Sequence, residues 1–186
     1  LGTLSLPMAA GIILLAPQII LLVFGPKFQP TTLPLRIVAL ALVFIFMNVP
    51  DARMILVYDR QGWSLAFVLC SLLVNLALNL VLARPWGAAG AAIARLFSSA
   101  VFFLLNHIYV THFFVKFSLV RALFRPALAT LIMALIVWVM PGWPLLVSIS
   151  LGVIFYAGAL WTVGGVLPED IALLCKSITE LSSRQA

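Results

Sequence analysis

The stretch PALATLIMALIVWVMPGWPLLVSISLGVIFYAGALWTVGGVLP, residues 126–168, contains no charged side chain. As a single α-helix it would be roughly 64 Å long, whereas the hydrocarbon core of a bilayer is about 30 Å thick. The stretch is therefore predicted to cross a membrane twice. The segment PGWP at 141–144 ends one helix and starts the next, which gives spans at about 121–140 and 145–166.

The composition of the whole chain supports the same class of protein. Of its 186 residues, 65% are hydrophobic and 9% are charged, whereas soluble domains have about 45–50% and about 25%. A chain of this length cannot bury so much apolar surface in one core, so the surplus must face lipid. We predict an all-α integral membrane protein.

Four further apolar runs are long enough to cross the membrane: 1–24, 33–58, 61–83 and 87–114. Together with the two spans above they predict six transmembrane helices. After Pro168, apolar residues recur at helical spacing, which predicts a short amphipathic helix on the membrane surface at 167–186. The chain begins without a basic leader, so we predict no signal peptide and expect a piece of a longer protein.

The charge of the chain predicts its orientation. Eleven basic residues and five acidic residues give a net charge of +6. The basic residues are scattered between uncharged runs, so no nucleic-acid partner is predicted. Six spans put both ends on one side, and basic loop residues favour the cytoplasm. That side holds Arg53, Arg60, Lys116, Arg121, Arg125, Lys176 and Arg184, against Lys27, Arg36 and Arg84 on the other. Both ends are therefore predicted to be cytoplasmic.

The sequence lacks the patterns of catalysis and of metal binding. It contains no HExxH, GxSxG or glycine-rich phosphate loop. Its two cysteines, Cys70 and Cys175, are far apart and indicate neither a metal site nor a disulfide framework. We therefore predict no enzyme activity, no metal and no cofactor.

Polar side chains of the third span lie on one helical face: Ser64, Ser71, Asn75 and Asn79. Polar groups at membrane depth usually face the interior of a bundle or a wet cavity, so Ser71, Asn75 and Asn79 are candidate substrate or cavity residues. In the alternative interpretation the two asparagines only hydrogen-bond to a neighbouring helix, as is common between membrane helices.

The fourth span carries two stripes. Small residues at Gly90, Ala94 and Ser98 predict an edge that another helix can approach closely.

The second stripe of this span contains Arg95, Ser99 and Asn106, which we predict to be cavity residues. Arg95 lies roughly 12 Å into the helix. Its guanidinium either faces a cavity, where it suits a phosphate or a carboxylate, or extends back to the outer interface. His107 and His112, near the other end, are predicted to lie at the membrane interface.

The second span contains Asn48 and Asp51 on one face, with Pro50 loosening the helix between them. An acid at this depth is a candidate site for a cation or a proton, so both residues are predicted coupling-ion candidates. Asp51 is equally able to pair with Arg53, with Arg95 or with a segment outside this chain.

Three strings carry a resemblance to a known family: LLVFGPKFQPTTLPLRIVALAL at 21–42, VYDRQGW at 57–63 and NLALNLVLARPWGAAGAAIARLFSSA at 75–100. In this order they resemble the C-terminal domain of polysaccharide biosynthesis (O-antigen) flippases, within the multidrug/oligosaccharidyl-lipid/polysaccharide exporter superfamily. The resemblance covers roughly residues 1–114. It implies a four-span family domain at 1–114, two additional spans at 115–166 and a cytoplasmic tail at 167–186.

The resemblance also implies a function. Such flippases have two six-helix lobes around a central cavity, sometimes followed by two appended helices. The six spans of this chain would then be spans nine to fourteen, which are four spans of the C-terminal lobe and the two appended helices. Its partner would be an amino-terminal lobe of the same protein. The implied substrate is an undecaprenyl-pyrophosphate-linked oligosaccharide, moved across the bacterial inner membrane among its lipids for O-antigen or exopolysaccharide assembly. Arg95 departs from the small or hydroxyl residue expected there. The alternatives are a lipid II or multidrug exporter, or a non-transporting membrane scaffold.

Overall fold

The computed structural model describes residues 2–114, 119–139 and 145–162. In these residues the chain is helical, without strands. The elements are α1 (Gly2–Val23), a 3-10 helix (Pro26–Thr31), α2 (Thr32–Val57), α3 (Gln61–Phe113), α4 (Leu119–Val139) and α5 (Leu145–Thr162). Three of the helical segments, in α1, α2 and α3, are long and apolar enough to cross a membrane. The prediction of an all-α protein is confirmed, and the chain is compatible with a membrane protein.

Apolar side chains cover the outside of the helices as well as the contacts between them. Leu22, Val81 and Trp138, on three different helices, are all exposed. A helix that is apolar on all sides belongs in the core of a large protein or in lipid. The outer surface of this chain therefore fits a hydrocarbon environment.

α3 contains 53 residues but is two helical arms rather than one rod. Gly87 lies between the arms with φ 53° and ψ −128°, a conformation that glycine alone adopts readily. The arms fold back on each other, since Asn75 bonds to Ser98 and the Phe67 ring lies 5.6 Å from the Tyr109 ring. The two arms, 61–86 and 88–113, correspond to the predicted apolar runs 61–83 and 87–114.

The small-residue edge predicted on the second arm is confirmed. Gly90, Ala94 and Ser98 are all buried. A Cβ at Gly90 would lie 2.0 Å from the carbonyl oxygen of Leu82. The backbone of one arm therefore touches the backbone of the other at this point, which only glycine allows.

α1 packs against α2, α4 and α5 and contains Pro7 and Pro17 within its length. Two side chains from neighbouring helices bond to its backbone. The Tyr156 hydroxyl of α5 donates to the carbonyl of Thr3, and Arg36 Nε of α2 donates to the carbonyl of Ile13 at 3.0 Å. α1 is thus tied to its neighbours through its own main chain.

Some predictions fall outside the described residues. They are the helix break at 141–144 and the amphipathic helix at 167–186. Three further points remain predictions: the division of the chain into 1–114, 115–166 and 167–186, the number of spans, and their orientation.

A polar site between α2 and α3

α2 and the second arm of α3 run side by side in the same direction. Three contacting pairs occur in the same order along both segments: Phe44 with Phe103 and Asp51 with His107 within the helices, and Tyr58 with Phe114 directly after their ends. The rings of the last pair are stacked, with centroids 4.1 Å apart. This parallel register places residues far apart in sequence at the same level.

The central pair is a buried carboxylate against an imidazole. Asp51 Oδ2 lies 3.1 Å from His107 Nδ1, and the two side chains are only 12% and 15% exposed. The His107 ring also stacks on Phe103, with centroids 5.4 Å apart. One proton is shared between these two atoms: an ionised Asp51 accepts it from Nδ1, and a protonated Asp51 donates it to Nδ1.

The partner of Asp51 differs from the sequence expectation. Arg53 and Arg95 were the candidate partners within the chain, but Arg53 is exposed and His107 occupies the carboxylate. His107 itself was expected at the membrane interface. The pairing spans 56 positions and follows only from the parallel register of two helices, so no local sequence signal could reveal it.

Two buried amides lie within about one helical turn of this pair. Asn48 precedes Asp51 by one turn, and Asn106 adjoins His107 in sequence. Asn106 is fully buried and its Nδ2 donates to the Phe102 carbonyl at 3.0 Å. The Oδ1 atoms of both asparagines are buried and have no hydrogen-bond partner among the described residues. Carboxylate and amide oxygens are the groups that bind hard cations and water.

The polar face of the first α3 arm is engaged within the hairpin. Asn75 Nδ2 donates to Ser98 Oγ at 3.0 Å, and Asn79 Nδ2 donates to Asn75 Oδ1 at 3.0 Å. Ser71 Oγ donates to the Val68 carbonyl of its own helix. Asn75 therefore makes the kind of contact expected in the alternative interpretation, in which the asparagines hydrogen-bond to a neighbouring helix.

The predicted stripe of the second arm falls into two environments. Ser99 and Asn106 are buried, whereas Arg95 is exposed. Within the described part of the chain no carboxylate lies within ion-pair distance of Arg95. Its guanidinium is therefore accessible on this face of the helix.

An apolar cavity of about 360 Å³ lies elsewhere, between α1, α4 and α5. Its walls include Met8, Ile12, Met133, Gly152 and Val153. None of the candidate polar residues lines it. Sequence analysis missed this cavity, because its walls are ordinary apolar residues of three separate helices.

Comparison with known proteins gives one informative match. No family model and no solved structure matches the sequence. Over 110 residues the chain is 29% identical to the probable low-salt glycan biosynthesis flippase Agl15 of Haloferax volcanii. The match covers 59% of this chain, and it covers 23% of the length of that relative. The chain is thus similar to part of a protein named as a probable glycan biosynthesis flippase, and its apolar helices are compatible with a membrane.

Proposed function

We propose that this chain is part of a flippase that moves a lipid-linked glycan from one membrane leaflet to the other. The observation that carries the proposal is the 110-residue similarity to a glycan biosynthesis flippase. Buried polar groups in apolar helices support it, because such groups are costly in lipid and commonly mark transport pathways.

The finer form of the proposal follows the family resemblance. The chain forms spans nine to fourteen of the whole protein, which are four spans of the C-terminal lobe and two appended helices, and both of its ends lie in the cytoplasm of a bacterial cell. Its partner is the amino-terminal lobe. The substrate is an undecaprenyl-pyrophosphate-linked oligosaccharide for O-antigen or exopolysaccharide assembly.

Arg95 is the proposed contact for the pyrophosphate, with Ser71, Asn75, Asn79, Ser99 and Asn106 along the same pathway. A diphosphate loses part of its hydration on entering a membrane cavity, and a fixed guanidinium offsets that loss with charge-assisted hydrogen bonds. The exposed position of Arg95, without a carboxylate partner in the described residues, supports this role.

The test is surface glycan export by the full-length parent in cells that lack their own flippase. Arg95→Ala should reduce export by about tenfold or more, and Arg95→Lys should retain part of it, since lysine keeps the charge without the planar donor pair. Arg84→Ala is the matched control, because Arg84 is also exposed but lies at the hairpin end. Normal export by a well-expressed Arg95→Ala variant would contradict the headgroup role.

Asp51 and Asn48 are the proposed coupling-ion residues of the same transporter. Three observations support them: the burial of the carboxylate, the oxygen of Asn48 without a partner among the described residues, and the equivalent oxygen of Asn106, which precedes His107 in the sequence. A cation or proton bound there would change the charge of the α2–α3 contact during the transport cycle.

A further inference from the structure

The prolines of α1 leave two main-chain acceptors without their helical donors. In an α-helix the N–H of a residue donates to the carbonyl four positions earlier. Pro7 and Pro17 have no N–H, so they free the carbonyls of Thr3 and Ile13. In a hydrocarbon environment no water is present to satisfy these oxygens.

The two side-chain bonds to α1 reach these same two carbonyls. Tyr156 donates to the carbonyl of Thr3, and Arg36 donates to that of Ile13. The donors come from different helices, α5 and α2, and Tyr156 is 153 positions away from Thr3. Each proline of α1 is therefore matched by one external donor.

We propose that α1 is a jointed helix whose two proline joints are held closed by Tyr156 and Arg36. Each side chain replaces one missing N–H and so fixes the angle between two helical segments. Release of a side chain would free that joint to bend, while the segments on either side keep their own hydrogen bonds. Arg36 and Tyr156 are thus positioning residues that act through the shape of α1.

The two joints are placed so that bending at either one would move α1 relative to a neighbouring helix. Ile13 lies near the middle of α1, and Thr3 lies near its start. Bending at the first joint would move the end of α1 that packs against α5, and bending at the second would move α1 relative to α2. The role of this motion in transport rests on the proposed function. The two hydrogen bonds that hold the joints, here called the clamps, do not depend on that function.

Double-mutant cycles on the full-length protein test the clamps. Arg36→Met and Tyr156→Phe remove a donor with little change in volume, and each should lower Tm by about 2–4 °C. Pro17→Ala restores the N–H for Ile13, so it should cancel the effect of Arg36→Met. Pro7→Ala should likewise cancel the effect of Tyr156→Phe. If Arg36→Met alone does not fold, recovery of folded protein by Pro17→Ala is the same readout.

The crossed pairs are the control. Pro17→Ala should leave the loss from Tyr156→Phe unchanged, and Pro7→Ala should leave the loss from Arg36→Met unchanged. If each proline substitution rescues its matched variant and not the crossed one, the result supports the clamps. Absence of rescue, or equal rescue in matched and crossed pairs, overturns them, because the prolines would then be acting on helix stability alone.

Glycan export by the same variants tests the bending. The double variant Pro17→Ala with Arg36→Met should be stable, but its continuous helix should lower export by about tenfold. Normal export by this variant would overturn the bending role. Lack of glycan export by the wild-type protein would instead remove the proposed function, while the Tm cycles would still decide whether the clamps exist.

Discussion

At the scale of single residues, the contact between Asp51 and His107 is the most specific polar feature of the described chain. A carboxylate and an imidazole at 3.1 Å, both mostly buried, fix the register of α2 against α3. Removing one partner of a buried pair leaves the other without its compensating charge or hydrogen bond. A substitution that keeps shape and hydrogen bonding is therefore needed to separate a structural role from a transport role.

Asp51→Asn provides that separation. The amide can accept a hydrogen bond from His107 Nδ1 or donate one to it, so Tm should change little, whereas the negative charge needed to bind a cation or proton is lost. We expect export by the full-length parent to fall by about tenfold or more. Asp59→Asn is the matched control, since Asp59 is exposed beyond the end of α2. Export unchanged at normal protein level would show that the pair serves packing only.

At the scale of elements, the sequence predicted those features that depend on one helix alone. The apolar runs predicted the limits of the helices, including the two arms of α3 as separate spans, because helix length is a local property. The hydrogen bonds of Tyr156 and Arg36 to α1 were not predicted. The prolines show which carbonyls are freed, but only the packing of three helices shows what satisfies them.

Gly90 offers a test at this scale. A methyl group there would meet the backbone oxygen of Leu82 at 2.0 Å, and backbone cannot move aside as a flexible side chain does. We expect Gly90→Ala to destabilise the protein by about 3 kcal/mol or more, measured as thermal unfolding in detergent. Gly62→Ala is the control, since a Cβ at Gly62 meets nothing within 4 Å. A Gly90→Ala variant as stable as the control would disprove the close contact of the two arms.

At the scale of the whole molecule, the polar site and the apolar cavity are built by different helices. The polar site lies between α2 and α3, and the cavity lies between α1, α4 and α5. Composition predicted that the chain faces lipid on most sides. It did not predict this division, because the division depends on which helices become neighbours. α1 contacts both groups and links them.

The orientation of this assembly in the membrane is the last prediction. Both ends and the turn between α2 and α3 should be cytoplasmic, because that side carries most of the Lys and Arg residues. In a background with Cys70 and Cys175 replaced by serine, cysteines are introduced singly at Lys27 and at Asp59, which are both exposed. Lys27 precedes α2 and Asp59 follows it, so a membrane-spanning α2 puts them on opposite sides.

A membrane-impermeant maleimide should then label Lys27→Cys in intact cells and label Asp59→Cys only after permeabilisation. Because both positions are exposed, access from one side of the membrane rather than burial decides the result. The reverse pattern would invert the topology. Equal labelling of both positions in intact cells would mean that α2 does not cross the membrane between them. The proposed transport path along α2 and α3 would then not connect the two sides of the membrane.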